Sequence, residues 1–265
     1  MTTSQSSQKA QPTVALFISD LHLQASLPRT TAAFHTFLAE QATQTQHLFL
    51  LGDIFEYWAG DDDLATPYNE EIASALRKLS DTGVKLYWIG GNRDFLVGQV
   101  FADAAGLTLL PDPHVIELAG RKIALAHGDA QCTDDQAYMA FRAQVRQTAW
   151  QQQFLAMPLA QRKAIIEGLR KNSQDANQNK SMEIMDVNPD AIRGLFDSTA
   201  TDTLIHGHTH RPALHVTLAE GDQPQRLRYV LPDWEYDVEP PRGGWMSLTA
   251  DGVLHRFDGA GTELA

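Results

Sequence analysis

A chain of 265 residues, 43% hydrophobic and 20% charged, can enclose a sizeable core and has the composition of a globular protein. No run approaches the roughly 18 consecutive apolar residues of a membrane span, and a lone cysteine, Cys132, excludes an internal disulfide framework and fits a reducing cytoplasm. The net charge of −12 opposes sequence-independent nucleic-acid binding, so no nucleic-acid partner is expected.

The start, MTTSQSSQKAQPT (1–13), is polar and lacks the basic and apolar blocks of a signal peptide, which predicts a disordered tail and no export. Apolar runs of strand length then recur at VALFIS (14–19), HLFLLG (47–52), VKLYWIG (84–90) and KIALAHG (122–128). Helix-length patterns lie between them at 29–41, 64–79 and 95–105, the alternation of an α/β protein. After HGDAQ the alternation stops. Thr133 with Gln136 reads as a capping box, followed by Tyr138, Phe141, Val145 and Ala149 at helical spacing. A second helix is predicted near Pro158, with Leu159, Ile165, Ile166 and Leu169 on its apolar side. Asn188 and Pro189 start another helix, and the C-terminal part is predicted to be rich in strands. Segment 129–185 holds seven Lys or Arg against six Asp or Glu, whereas the rest carries −13. It is therefore predicted to be a helical insertion in a core formed by 14–128 and 186–265.

Each predicted strand ends in polar residues, where ligands of open α/β sheets collect. These are Asp20 and His22 in SDLHL, Asp53 in LGDIFEYW, Asn92, Arg93 and Asp94 in GGNRDF, His127 in AHGD, and His206, His208 and His210 in HGHTH. Singly, such residues are most often turn caps, but five strand ends terminating in N or O donors have no structural need to agree. His35, His47, His114, His215 and His255 read as ordinary surface or half-buried histidines, Asp61 to Asp63 as a solvated turn, and Asp94 as the cap of the following helix. Carboxylate, imidazole and amide donors without thiolate suit a hard-to-borderline divalent ion such as Mn. The donors exceed one tetrahedral site. Two ions about 4 Å apart sharing a carboxylate would clamp an in-line displacement at phosphorus and activate water at neutral pH.

The order D-x-H, G-D, G-N, H, G-H-x-H resembles the calcineurin-like metallophosphoesterases from Asp20 to His210. That resemblance implies a four-layer α/β/β/α sandwich of two mixed sheets. It also implies two Mn ions: Asp20, His22 and His208 around one, Asn92, His127 and His206 around the other, Asp53 between them, and His210 outside the set. Most of the family reads G-N-H-[DE], whereas this chain has Arg93 where that histidine is expected to protonate the leaving oxygen. Arginine cannot supply that proton. A phosphate leaving group, with a second pKa near 6, needs none, so the exchange points to a pyrophosphate substrate, with Arg93 gripping its oxygens.

Longer blocks, among them GDIFEYWAG, HGDAQCTDDQAYMAFR and NKSMEIMDVNP, resemble the UDP-diacylglucosamine diphosphatases of lipid A biosynthesis, a branch of that family. This implies hydrolysis at the α-phosphate of a UDP-linked diacyl glucosamine lipid, with substrate contacts from Asn92, Arg93, Asp135, Ser173, Asn177, Lys180 and His206. Catalysis would rest on Arg93 and Asp53. It further implies a monomer, peripheral on the cytoplasmic face of the inner membrane. The predicted insertion would act as a lid, its apolar side covering acyl chains while Arg142, Arg146, Arg162, Lys163, Arg170 and Lys171 face anionic headgroups. A hydrolase of soluble nucleotides and a scaffold without catalysis are the alternatives. The first is disfavoured by Arg93, the second by the presence of all seven expected ligands.

Overall fold

The computed structural model describes residues 11–177, 186–218 and 225–264. Strand and helix alternate first: β1 (Thr13–Ile18), α1 (Pro28–Glu40), β2 (His47–Leu50), α2 (Pro67–Asp81), β3 (Lys85–Ile89) and α3 (Gln99–Ala105). Next come β4 (Leu107–Leu110), β5 (His114–Leu118) and β6 (Arg121–Ala126), then three helices, α4 (Gln136–Val145), α5 (Thr148–Leu155) and α6 (Leu159–Asn177). The remainder is α7 (Pro189–Thr199), β7 (Thr203–His206), β8 (Ala213–Thr217), β9 (Arg226–Val230), β10 (Gly244–Thr249), β11 (Leu254–Asp258) and β12 (Glu263–Leu264).

The strands form two mixed sheets, β12-β11-β10-β1-β2-β3-β4 and β5-β6-β7-β9-β8. β1 to β4 run parallel and β10 joins antiparallel to β1. Side-chain alternation along each strand builds the layers. On β1, Leu16 and Ile18 meet the helix side with Phe34, Phe37, Leu76 and Phe101, whereas Ala15 and Phe17 face the second sheet with Ile123, Leu125 and Ile205. On β6, Ala124 and Ala126 turn to the opposite face and pack against Ile192, Leu195 and Phe196 of α7. The resulting order is helices, sheet, sheet, helix, as the resemblance implied. Being buried on both faces, the central strands read as continuous apolar runs.

Three predicted boundaries move. The helix predicted over 95–105 starts at Gln99 because the Asp61 carboxylate, which accepts the Gly98 and Phe101 N–H groups at 2.9 and 3.1 Å, caps it from a distant loop. Asp94 is not its cap. α4 is capped by Asp135, which accepts the Tyr138 N–H at 3.1 Å, while the Gln136 side chain donates to the Thr133 carbonyl. The helix expected to run on to Ala149 ends at Val145, and Gln147, with an extended ψ of 132°, separates α4 from α5. At α7 the expected cap is present: the Asn188 side chain accepts from Asp190 and Ala191.

The acidic run 61–63 is no solvated turn. Asp63 is buried, accepts the Thr66 hydroxyl and pairs with Lys163 at 2.6 Å, and Asp62 pairs with Arg162 of α6. The basic residues of α4 and α6 are likewise spent on the protein rather than held out for headgroups. Arg162 is 1% exposed and also donates to the Ala59 carbonyl. Arg142 donates to Asp129 at 2.8 Å, Arg146 to the Gly91 carbonyl at 3.0 Å, and Arg170 pairs with Glu56; Lys171 alone of the six is exposed. No helix among the described residues is long and apolar enough to cross a membrane.

Candidate metal centre

The carboxyl ends of β1, β2 and β3 and the turns after β6 and β7 converge on one place. Five non-glycine residues there have positive φ: Asp20 (55°), His22 (51°), Asp53 (52°), His208 (67°) and His210 (54°). Such backbone conformations cost free energy and persist where the surroundings over-determine them, commonly at functional sites. Here the loops brace one another. Asp20 N–H donates to the Gly52 carbonyl, His22 N–H to the Asp53 carbonyl, and Gly207 N–H to the His127 carbonyl.

Asp94 is the hub of this bracing. Fully buried, its carboxylate accepts the backbone N–H groups of Gly91, Asp53, Ile54 and Phe55 at 2.8 to 3.3 Å, locking the β2 and β3 loops together. Burial and then the Asp53 charge push it up to about 6. The Asp20 carboxylate similarly accepts the His208 N–H at 2.8 Å. The loops are too close for a side chain at Gly207, where a Cβ would collide with the Asp20 carboxylate and the Ser19 hydroxyl. Gly207→Ala is therefore expected to displace Asp20, costing about 1–3 kcal/mol and lowering metal uptake in a Mn titration. Gly168→Ala on α6, where a Cβ meets nothing within 4 Å, is expected to leave both intact.

Among the described residues two donor groups form, each with its ligand atoms within 4.8 Å of one another: Asp20, His22 and His210, and Asp53, His127 and His208. His210, expected outside the set, thus stands beside Asp20 and His22, its Nε2 3.2 Å from that of His22. His208 is on the His127 side, with ring centroids 5.0 Å apart. Asn92 joins the second group, its Oδ1 2.9 Å from His127 Nε2. His206 is buried at its edge, with Nδ1 on the Gly207 carbonyl and Nε2 3.1 Å from Arg228 Nη1.

The donor set fits divalent cations. Asp20 Oδ1 is buried without a hydrogen-bond partner. Burial, reinforced by Arg93, Arg228 and His127 respectively, lowers His22 to about 4, His206 to about 3 and His208 to about 4, which favours the neutral imidazole, the form able to donate to a cation. His127 differs. Burial opposes its charge, but Asp53, Asp20 and Asp129 prevail and raise it to about 9. Its Nδ1 lies 2.9 Å from the Leu51 carbonyl, and its Nε2 lies 2.9 Å from Asn92 Oδ1 and 3.6 Å from Asp53 Oδ1. Burial opposes ionisation of Asp20 too, yet the His210 ring, its Nε2 3.5 Å from Oδ1, and the His127 charge hold it well below the usual carboxylate range. Cys132 offers no thiolate, since burial and then Asp129 push its thiol up to about 12.

Arg93 lies at the rim. Its N–H donates to Asp53 Oδ1 at 2.8 Å, and its guanidinium reaches Glu56 at 2.7 Å and Asp53 at 3.6 Å. Of the other expected substrate contacts, Asp135 caps α4. Ser173 and Asn177 fall in the last two turns of α6 with side chains outside the described ones, and Lys180 lies outside the described residues. Residue-by-residue reading passed over Glu56, Asp129 and Tyr138. Tyr138 donates to Asp129 at 2.6 Å and stacks on His208, joining α4 to the site. Glu56, a charge inside the apolar run IFEYW, was the legible signal of the three.

Two mixed sheets with buried carboxylates and imidazoles at their loop ends define the class, and the calcineurin-like phosphoesterase family model matches residues 14–212. The chain belongs to the calcineurin-like phosphoesterases and is a metal-dependent hydrolase. Within that class it is 48% identical over 251 residues to the UDP-2,3-diacylglucosamine hydrolase of Aromatoleum aromaticum, covering 95% of this chain and 96% of that one. A protein of the same name from Escherichia coli is 47% identical over 238 residues, covering 90% and 96%. Among solved structures, Vacuolar Protein Sorting 29 from Cryptosporidium parvum matches 94% of this chain and 92% of its own at 15% identity, with a TM-score of 0.45.

Proposed function

We propose that the chain hydrolyses the pyrophosphate bond of UDP-2,3-diacylglucosamine at the α-phosphate, releasing UMP and 2,3-diacylglucosamine 1-phosphate, a step of lipid A biosynthesis. The observation that carries this reading is a guanidinium, Arg93, at the rim of a binuclear-type donor set in an enzyme nearly half identical to hydrolases of that name. Asp20, His22, Asp53, Asn92, His127, His206 and His208 would hold two Mn ions, with His210 beside them. When bound, the pair supplies an activated water and charge neutralisation at phosphorus.

The protein's own groups do the rest. Arg93 presents its planar fork to phosphate oxygens and offsets charge that builds in the transition state. The departing sugar 1-phosphate leaves without a proton, so the missing acid costs nothing. Segment 129–185 covers the acyl chains, which the exposure of Phe141, Leu155, Ile165 and Leu169 on α4 to α6 supports. This apolar rather than basic surface is the proposed contact with the inner face of the cytoplasmic membrane, where a monomer acts peripherally.

A panel of UDP-sugars and UDP-lipids, assayed with Mn added or chelated, tests the reading. A buried methylene contributes about 0.8 kcal/mol, so removing both acyl chains is expected to lower kcat/KM by over ~100-fold. Equal efficiency on UDP-glucosamine would favour the soluble-nucleotide alternative.

A further inference from the structure

Glu56 is 7% exposed, and one carboxylate there meets three partners. Oε2 accepts from Arg93 Nη1 at 2.7 Å and lies 3.1 Å from His22 Nδ1, at ion-pair distance but off hydrogen-bond alignment; Oε1 pairs with Arg170 of α6. The backbone of Glu56 is fixed to the loop that carries His22 through its N–H to the Leu23 carbonyl at 3.1 Å. The arrangement therefore links a candidate metal ligand, the rim arginine and a helix that covers the site.

We propose that Glu56 is a positioning residue that orients His22 toward the cation, keeps Arg93 off Asp53, and anchors α6 through Arg170. Three physical reasons support this. First, a carboxylate at one ring nitrogen of a ligating histidine fixes which nitrogen is left for the metal and raises its basicity; here Nδ1 faces Glu56, leaving Nε2. Second, Arg93 is shared between Glu56 at 2.7 Å and Asp53 at 3.6 Å. Without Glu56 the guanidinium would turn fully onto Asp53, neutralising the carboxylate expected to lie between the ions and competing with them for it. Third, two guanidiniums drawn to one buried carboxylate repel each other once its charge is gone. Loss of Glu56 thus frees Arg170 and the turn of α6 that follows it.

The test uses the full chain stripped of metal, titrated with Mn and followed by calorimetry. Glu56→Gln keeps shape and removes charge, and is expected to weaken the ion held with His22 by about 10- to 100-fold. The second ion, which shares Asp53 but not His22, should weaken by a smaller factor, so the isotherm splits. Adding Arg93→Ala to Glu56→Gln is expected to restore part of the lost affinity, because the competing cation is gone. Arg170→Ala should leave the isotherm unchanged while α6 amides exchange faster with solvent. Glu56→Asp, which keeps charge but shortens reach, covers the case in which Glu56→Gln does not fold, and is expected to lose affinity at the same ion by a smaller factor. Wild-type binding of both ions in the Glu56 variants, with only a lower Tm, would make Glu56 a purely structural residue and overturn the proposal. What Arg93 gains for turnover rests on the proposed reaction, whereas the Mn isotherm does not, so the two readings fail separately.

Discussion

Asp53→Asn is expected to strip the protein of tightly held metal and to lower turnover by more than the roughly 100- to 1,000-fold that one transition-state donor is worth. The substitution isolates charge. Asn tolerates the left-handed backbone that Asp53 adopts at a φ of 52°, and its carbonyl oxygen can still accept the Arg93 N–H now made at 2.8 Å. The loop should therefore keep its shape. What is lost is the buried negative charge facing His127 at 3.6 Å and Arg93 at 3.6 Å. In its absence the Arg93 guanidinium, no longer opposed there, borders a pocket that must attract cations. Elemental analysis of protein purified without chelator, paired with a turnover assay, reads both effects; two firmly bound ions at full rate would contradict the bridging role.

Arg93→Ala is expected to reduce kcat/KM about 100-fold, or about 2.7 kcal/mol of transition-state stabilisation, while metal content stays at the wild-type level. The contrast follows from which atoms the residue uses. Its backbone N–H, which holds Asp53, survives in alanine, whereas the guanidinium, on a side chain about one-third exposed, does not. Lysine should recover little, because a single ammonium cannot replace a planar fork against two phosphate oxygens. Near-normal turnover in Arg93→Ala would remove phosphate binding from its role, and with it the reason for a pyrophosphate over an ordinary ester.

The layers and the site loops were legible because their signals are local. Continuous apolar runs mark strands buried on both faces, and a polar residue at the end of such a run marks the sheet's ligand edge. Asp20 and Asp53 stand directly after a run, His22 and Asn92 within three residues of one, and His127 at the end of the last, while Arg93 follows in the G-N motif. Short strands such as β4 and β12 were not separately legible, since four residues or fewer carry too little periodicity.

Long-range hydrogen bonding was hidden. Asp61 caps a helix 38 residues further on, Asp94 ties together two loops rather than capping its own neighbour, and Asp135 takes the cap assigned to Thr133. The basic residues of α4 and α6 were expected to face anionic headgroups, yet five of six find carboxylates or carbonyls of the core.

By itself the amino-acid order determined the α/β class, the loops that hold the donors, and the exchange of an acid for Arg93, because each is written in residue type and period. Only the tertiary structure decided how those donors are grouped, that His210 stands among them, and that Glu56 joins His22, Arg93 and α6. These are contacts between segments up to 188 residues apart, and no local pattern encodes which buried charge will meet which.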